Sequence, residues 1–397
     1  SCSIIIFINM AIYKIFPTQD STLYSLTPNA NFGMDAILEA SNIIGIDGTP
    51  DVARFLTQFD TDEIVDVINN KIVTGSTTIW DVNFRTFIAE ASGISNTQTL
   101  EIYPAGQPWN NGTGEFGDSP ETTDGCTWAD RSSKDIDAWT ITGVFDGKRI
   151  TGSFDSTFSV SGGGNWIHET GNANTYKVTQ SFALRSNKDL NKGVKTIVNN
   201  WYDRAFISGD EGFGNYGFLV KLSQSAEFFT TSSQQPIFKY YSVDTNTIYP
   251  PQLDFKWRDF TTVLTGSLTS SIVTDSNLKM SLAENPGMFN INSINRFRLN
   301  VSPMYPPRTF QTSSFYLGKN FLPTASFYAL KDLDTDEYVI DFDTQYTQIS
   351  ADSTSNYFDI YMNGLEPERY YKLLIKTNID GSTRIYDDNY YFKIING

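Results

Sequence analysis

Histidine is almost missing from this sequence. One, His168, stands among 397 residues alongside two cysteines, and 29 Lys plus Arg face 45 Asp plus Glu for a formal net charge of −16. Each scarcity closes a class of function. A single histidine excludes His-rich metal sites and leaves little room for imidazole-based acid–base chemistry. The shortage of Lys and Arg argues against a nucleic-acid partner, which is gripped by displacing counterions from phosphates. No stretch approaches 18 consecutive apolar residues, so no membrane insertion is expected. Nucleophile elbows, zinc-ligand spacings and nucleotide fingerprints are also missing. The expectation is a protein without cofactors, without catalytic residues and without enzymatic activity.

The chain opens Ser1-Cys2-Ser3 and continues through an apolar run, Ile4 to Ile8. That run is shorter than a signal-peptide core and lacks a basic leader and a small-residue cleavage site. We expect Met10 to be the native start and residues 1–10 to be an upstream or disordered segment. Cys126 is then the one thiol left, and it cannot form an internal disulfide. This favours assembly in a reducing cytoplasm. Nucleophilic catalysis by Cys126 with His168 is weighed against the plainer role of a small buried hydrophobe, and the plainer role is preferred.

What the chain does have is 40% hydrophobic residues, 14% aromatics and 28 glycines, the composition of a folded protein. Its apolar patterning has period two. Arg54 to Asp60, Thr99 to Tyr103 and Ser153 to Val160 alternate or nearly so, as strands buried on one face do. Tyr216 to Leu222 has the continuous apolar character of a central strand. Turn clusters such as Asp47-Gly48, Asn110-Asn111-Gly112 and Gly162-Gly163-Gly164 separate the strands, the glycine run being a strand connector. Two segments stand out. Thr61 to Ile68 fits a short helix or a strand, and Asp189 to Trp201 spaces its apolar residues as an amphipathic helix. A break near residue 260 divides the chain into domains 11–260 and 261–397. The fold expected is all-β: a jelly-roll β-sandwich followed by a second β-sandwich, fibronectin III-like or jelly-roll.

Pro28-Asn29-Ala30-Asn31-Phe32-Gly33, Arg54 to Asp60, Thr127-Trp128 and Asn215-Tyr216-Gly217-Phe218 occur in an order that resembles the DNRLRE-type jelly roll, related to carbohydrate-binding modules. Met10 to Ile15, Trp109 to Pro120, Asp352 to Phe358 and Gly364 to Tyr371 are similar to virion structural proteins of tailed marine bacteriophages, particularly those infecting cyanobacteria. That resemblance implies a structural component of the virion, in tail, neck, fibre or capsid, assembled in the host cytoplasm. Its partners would be other virion proteins and copies of itself. In the C-terminal part, Leu365-x-Pro367-x-x-x-Tyr371 has the spacing of a tyrosine corner, and Asp380-Gly381 is a hairpin turn.

The candidate binding residues lie in the first domain. A sugar is held by an exposed aromatic face against its C–H surface and by amides or acids on its hydroxyls. Asn165, Trp166, His168 and Asn172, with Asn174 nearby and Trp109 elsewhere in the chain, form the candidate glycan site. Against this, tryptophans of a sandwich more often plug its core. Asp332, Asp334 and Asp336 alternate as in a calcium loop, but Glu337 stands where such a loop needs glycine, so an exposed turn is preferred. The function expected is a non-enzymatic virion component acting by assembly and host-surface attachment. The alternative is a carbohydrate-binding module protein recognising a cell-surface or extracellular polysaccharide.

Overall fold

The computed structural model describes residues 11–396 apart from 46, 73–78, 95, 136, 156–159, 169–175, 208–211, 229–234, 259, 263, 265–270 and 306–318. The expected segment 1–10 lies outside the described residues. Regular structure is almost entirely β-strand, so the all-β sandwich class read from the period-two pattern is the class adopted. The chain divides into two compact units. One comprises Ile15–Val67 and Val82–Asp254, the other Ser1–Lys14, Ile68–Asp81 and Phe255–Gly397.

The first unit is built on an eight-stranded sheet. Its order is Val178–Phe182, Gln98–Pro104, Phe218–Leu222, Pro50–Phe59, Ile37–Ile44, Ile237–Tyr241 and Ile88–Ser92, with Pro17–Tyr24 also paired to Pro50–Phe59. Phe218–Leu222 is buried at every position, as its apolar run requires. Phe84 stacks on Phe218 with centroids 4.7 Å apart, and Trp201 packs on the same ring at 4.8 Å. Trp201 belongs to the helix Lys195–Phe206, which buries Ile197, Val198 and Trp201. The expected helix is thus present but starts later than its apolar spacing indicates. Leu190–Gly193 is instead a strand, paired with Asn83 to Thr86. Thr61–Asp66 is helical, capped by Asp60, whose side chain accepts from the Asp62 N–H.

The glycine run departs from expectation. Gly162, Gly163 and Gly164 lie inside the strand Val160–Ile167 rather than between strands. The chain reverses before them, so Ser153 to Val160 is not one strand. Lys148–Asp155 ends and Val160–Ile167 returns antiparallel to it. Between the pairs Thr151↔Trp166 and Ser153↔Gly162 the glycine side carries two extra residues, a bulge. Gly163 has φ of 69° and lies against the Trp128 ring, where an added Cβ would come within 2.6 Å. Only glycine fits there.

The second unit has two sheets. One runs Leu278–Leu282, Ile294–Pro303, Asn356–Tyr361, Ser350–Ala351; the other Met288–Asn290, Ser382–Ile395, Tyr370–Ile379, Ser326–Asp332, Tyr338–Ile340. Their inner faces meet through aromatic rings: Phe358 stacks on Tyr328 at 4.5 Å, and Phe297 lies 5.5 Å from Phe392. The Tyr371 hydroxyl donates to the Glu366 carbonyl at 3.3 Å, the corner bond its spacing predicts. Asp380 and Gly381 both take positive φ between Ile379 and Ser382, as a two-residue hairpin turn requires.

Candidate functional site

The residues expected to bind a glycan are packed inside the first unit. Trp166 is 8% exposed and stacks on Tyr103 at 5.0 Å, with the Lys221 ammonium 5.5 Å from its ring. Trp109 is 4% exposed and donates its indole N–H to the Tyr216 carbonyl. Both belong to one buried cluster with Trp128, Trp139 and Cys126. The exposed ring face that a sugar needs is therefore not provided by Trp109 or Trp166, and the core role weighed above is the one they fill. Asn165 is buried too, its amide donating to Gln107 Oε1 at 2.6 Å and to the Thr140 carbonyl at 2.9 Å. His168 is half-buried. Asn172 and Asn174 lie outside the described residues. Burial pushes the Cys126 thiol up to about 12, against a smaller opposing effect of a hydrogen bond with Ser21, so it stays protonated in the core.

The acidic alternation of the second unit is likewise spoken for. Asp332 takes a two-point ion pair from Arg369, at 2.6 and 2.7 Å, and also accepts the Asp334 and Thr335 N–H groups. Asp336 is at the surface, paired with Lys331. This is a turn closing Ser326–Asp332 onto Tyr338–Ile340. Among the described residues no group of three His, Cys, Asp or Glu side chains is placed to hold a metal ion.

A different site emerges where two motifs meet that lie 80 residues apart in sequence. Asn31 sits at the junction. Its amide donates to the Asn111 carbonyl at 2.7 Å and to the Cys126 carbonyl at 2.8 Å, and its Oδ1 accepts the Gly33 and Gly114 N–H groups. Asn111 reciprocates, donating to the Gly33 carbonyl at 2.6 Å. A Cβ on Gly114 would fall 2.1 Å from the Asn31 carbonyl oxygen, so glycine is required for the approach. The Pro28–Gly33 turn and the Trp109–Pro120 loop are thereby locked into one wall.

That wall bounds a cavity of about 410 Å³, within the range of small-molecule sites. Its apolar side is made by Tyr24, Phe32 and Phe116. Tyr24 and Phe32 meet edge to face at 4.8 Å, and Phe116 lies 6.2–6.3 Å from both. Phe116 is 73% exposed, so its ring is open to solvent where it lines the cavity. The polar side is acidic: Glu39, Asp51, Glu115, Asp118 and Glu121 line the cavity, with Lys239 the one basic group among them. Glu39 is nearly buried and accepts the Ser41 hydroxyl at 2.5 Å and the Tyr24 hydroxyl at 3.3 Å. Burial, then the charge of Glu39, pushes the Tyr24 phenol upward, so it stays a donor. Burial also raises the Asp51 carboxyl. The Thr122 hydroxyl and then the Glu115 N–H hold Asp118 low.

Sequence reasoning named neither Tyr24, Phe116, Glu39 nor Asp51 as site residues. The Asn31-Phe32-Gly33 turn and the Trp109–Pro120 loop were visible as motifs. Their meeting through Asn31 was not.

No family model matches the sequence, and no curated protein is similar to it. Among solved structures, the chain is similar to a DUF4785 family protein from Legionella pneumophila subsp. pneumophila str. Philadelphia 1, at 7% identity. The similarity covers 81% of this chain and 66% of that one, with a TM-score of 0.17, too low to carry any conclusion about fold or function.

Proposed function

We propose that the protein is a non-enzymatic component of a tailed-phage virion that acts by assembly and surface attachment, with a glycan held in the pocket of its first unit. The observation that carries the binding role is the pairing of one exposed ring, Phe116, backed by the half-buried Tyr24 and the buried Phe32, with a carboxylate-lined opposite side in one cavity. Such a site stacks the C–H face of a sugar on the rings while carboxylates accept its hydroxyl protons. Three of the five carboxylates already serve as acceptors for neighbouring protein groups: Glu39 from Tyr24 and Ser41, Asp51 from Ser25, Asp118 from Thr122. This supports a fixed recognition surface over a reactive acid pair.

The virion setting is supported by the sequence resemblance alone, which includes the Trp109–Pro120 loop that forms one wall of the pocket. The same pocket would serve a carbohydrate-binding module outside a particle. Mass spectrometry of purified virions decides between them: recovery of this chain in stoichiometric amount is the expected result, and its absence from the particle would overturn the virion role. Glycan-array binding by the purified protein, lost in Phe116→Ala, tests the pocket.

A further inference from the structure

We infer that the saccharide taken by the Tyr24–Phe32–Phe116 pocket carries a protonated amino group, and that acidic sugars are excluded. The inference rests on the glycan-binding reading above and narrows its ligand class.

Charge carries it. Five carboxylates and one ammonium line the cavity, so the lining is formally 5 − 1 = 4 charges negative. Lys239 does little to offset this. In the sheet it stands directly between Glu39 and Glu90, and its ammonium lies 3.7 Å from the Glu90 carboxylate. A uronate, a sialic acid or a phosphorylated sugar would bring one more negative charge into this field and meet like-charge repulsion. A neutral sugar is tolerated, but each of its hydroxyls donates one proton to acceptors that can take several. An ammonium group supplies three N–H donors and the compensating charge together.

Shape agrees. Tyr24, Phe32 and Phe116 are packed against one another at 4.8–6.3 Å, so they form one apolar side, on which Phe116 presents the open ring face, rather than a cage around a free cation. A bare ammonium or a metal ion would leave that wall uncovered. An amino sugar uses both sides: ring C–H groups on the aromatics, the amine toward Glu115 and Glu121, which are both exposed at the rim.

The test is calorimetric titration of the full chain at pH 6 and low salt. The probes are a chitosan oligosaccharide, its N-acetylated counterpart, an oligogalacturonate and a lysine-containing peptide. The chitosan oligomer is expected to bind about tenfold or more tightly than the N-acetylated one, and to weaken as salt is added. The oligogalacturonate is expected not to bind. Glu115→Gln/Glu121→Gln, which alters exposed side chains, should bring the affinities for the two oligomers to within about threefold of each other. Equal binding of the two chitin-type oligomers would overturn the amine inference and leave the glycan pocket standing. So would tighter binding of the oligogalacturonate. Binding of the peptide alone, or of none of the sugars, would overturn the glycan reading itself.

Discussion

Arg54 donates from Nε to Glu227 Oε1 at 2.6 Å, and neither side chain reaches solvent. The guanidinium also donates to the Gly162 and Gly163 carbonyls and lies 4.8 Å from the Trp128 ring. Lys221 completes the group, 3.0 Å from the other Glu227 oxygen. Arg54 thus ties the central strand Pro50–Phe59 to the carbonyls of the glycine bulge. Arg54→Met leaves the Glu227 charge facing Lys221 alone and should lower stability by about 3–5 kcal/mol. The pair Arg54→Met/Glu227→Leu should recover part of that loss. Urea unfolding of the three proteins is the measurement.

Two buried carboxyl groups give opposite pH dependences. Burial alone would raise Glu227, but Arg54 and Lys221 outweigh it and hold the group below its ordinary value of 4.5. Its contribution is present above that value and is lost as pH falls through the depressed one. Asp20 is the reverse. Burial raises it to about 8 against the Val243 N–H, with Asp244 and Asp35 adding to the rise. The folded state keeps a proton there that the unfolded chain releases above 3.8, so stability falls as pH rises from about 4 to 8. Asp20→Asn should flatten that slope and gain about 1–3 kcal/mol at pH 8 relative to the parent. Thermal unfolding between pH 2 and 9 reads both limbs.

In the second unit, Tyr371→Phe removes the bond to the Glu366 carbonyl and leaves the ring in place against Phe392. A loss of about 0.5–1.5 kcal/mol is expected. A denaturation curve with unchanged slope and a shifted midpoint would report it.

The pocket separates into a frame and a contact face. Asn31→Ala strips the junction of two donated and two accepted hydrogen bonds at once and should cost about 2–4 kcal/mol while loosening the wall. Phe116→Ala removes an exposed ring, so its stability should stay within about 0.5 kcal/mol of the parent. Glycan binding should fall in both, with only Asn31→Ala also losing stability.

Local patterns were legible in the sequence wherever a local rule decides. Period-two alternation marked Pro50–Phe59 and Gln98–Pro104, Leu365 to Tyr371 marked the corner, and Asp380-Gly381 marked the hairpin. Asp189 to Gly193 was misread because apolar spacing cannot tell a helix from the strand preceding it. Leu190 meets the helical spacing but pairs with Thr86. The glycine run was misread because its cause, the Trp128 ring packed against it, lies more than thirty residues away. The site failed for the same reason. Trp166 looks like a ligand platform in sequence, and only burial against Tyr103 shows it as core. Phe116, an unremarked residue in an acidic loop, becomes a binding face only once Asn31 pins that loop beside Tyr24 and Phe32.

The most direct test of the account is a glycan array probed in parallel with the parent protein and Phe116→Ala, their urea midpoints measured alongside. The account predicts that the parent binds a restricted set of saccharides and that Phe116→Ala loses them at an unchanged midpoint. Retention of the same saccharides by a fully folded Phe116→Ala protein would contradict it.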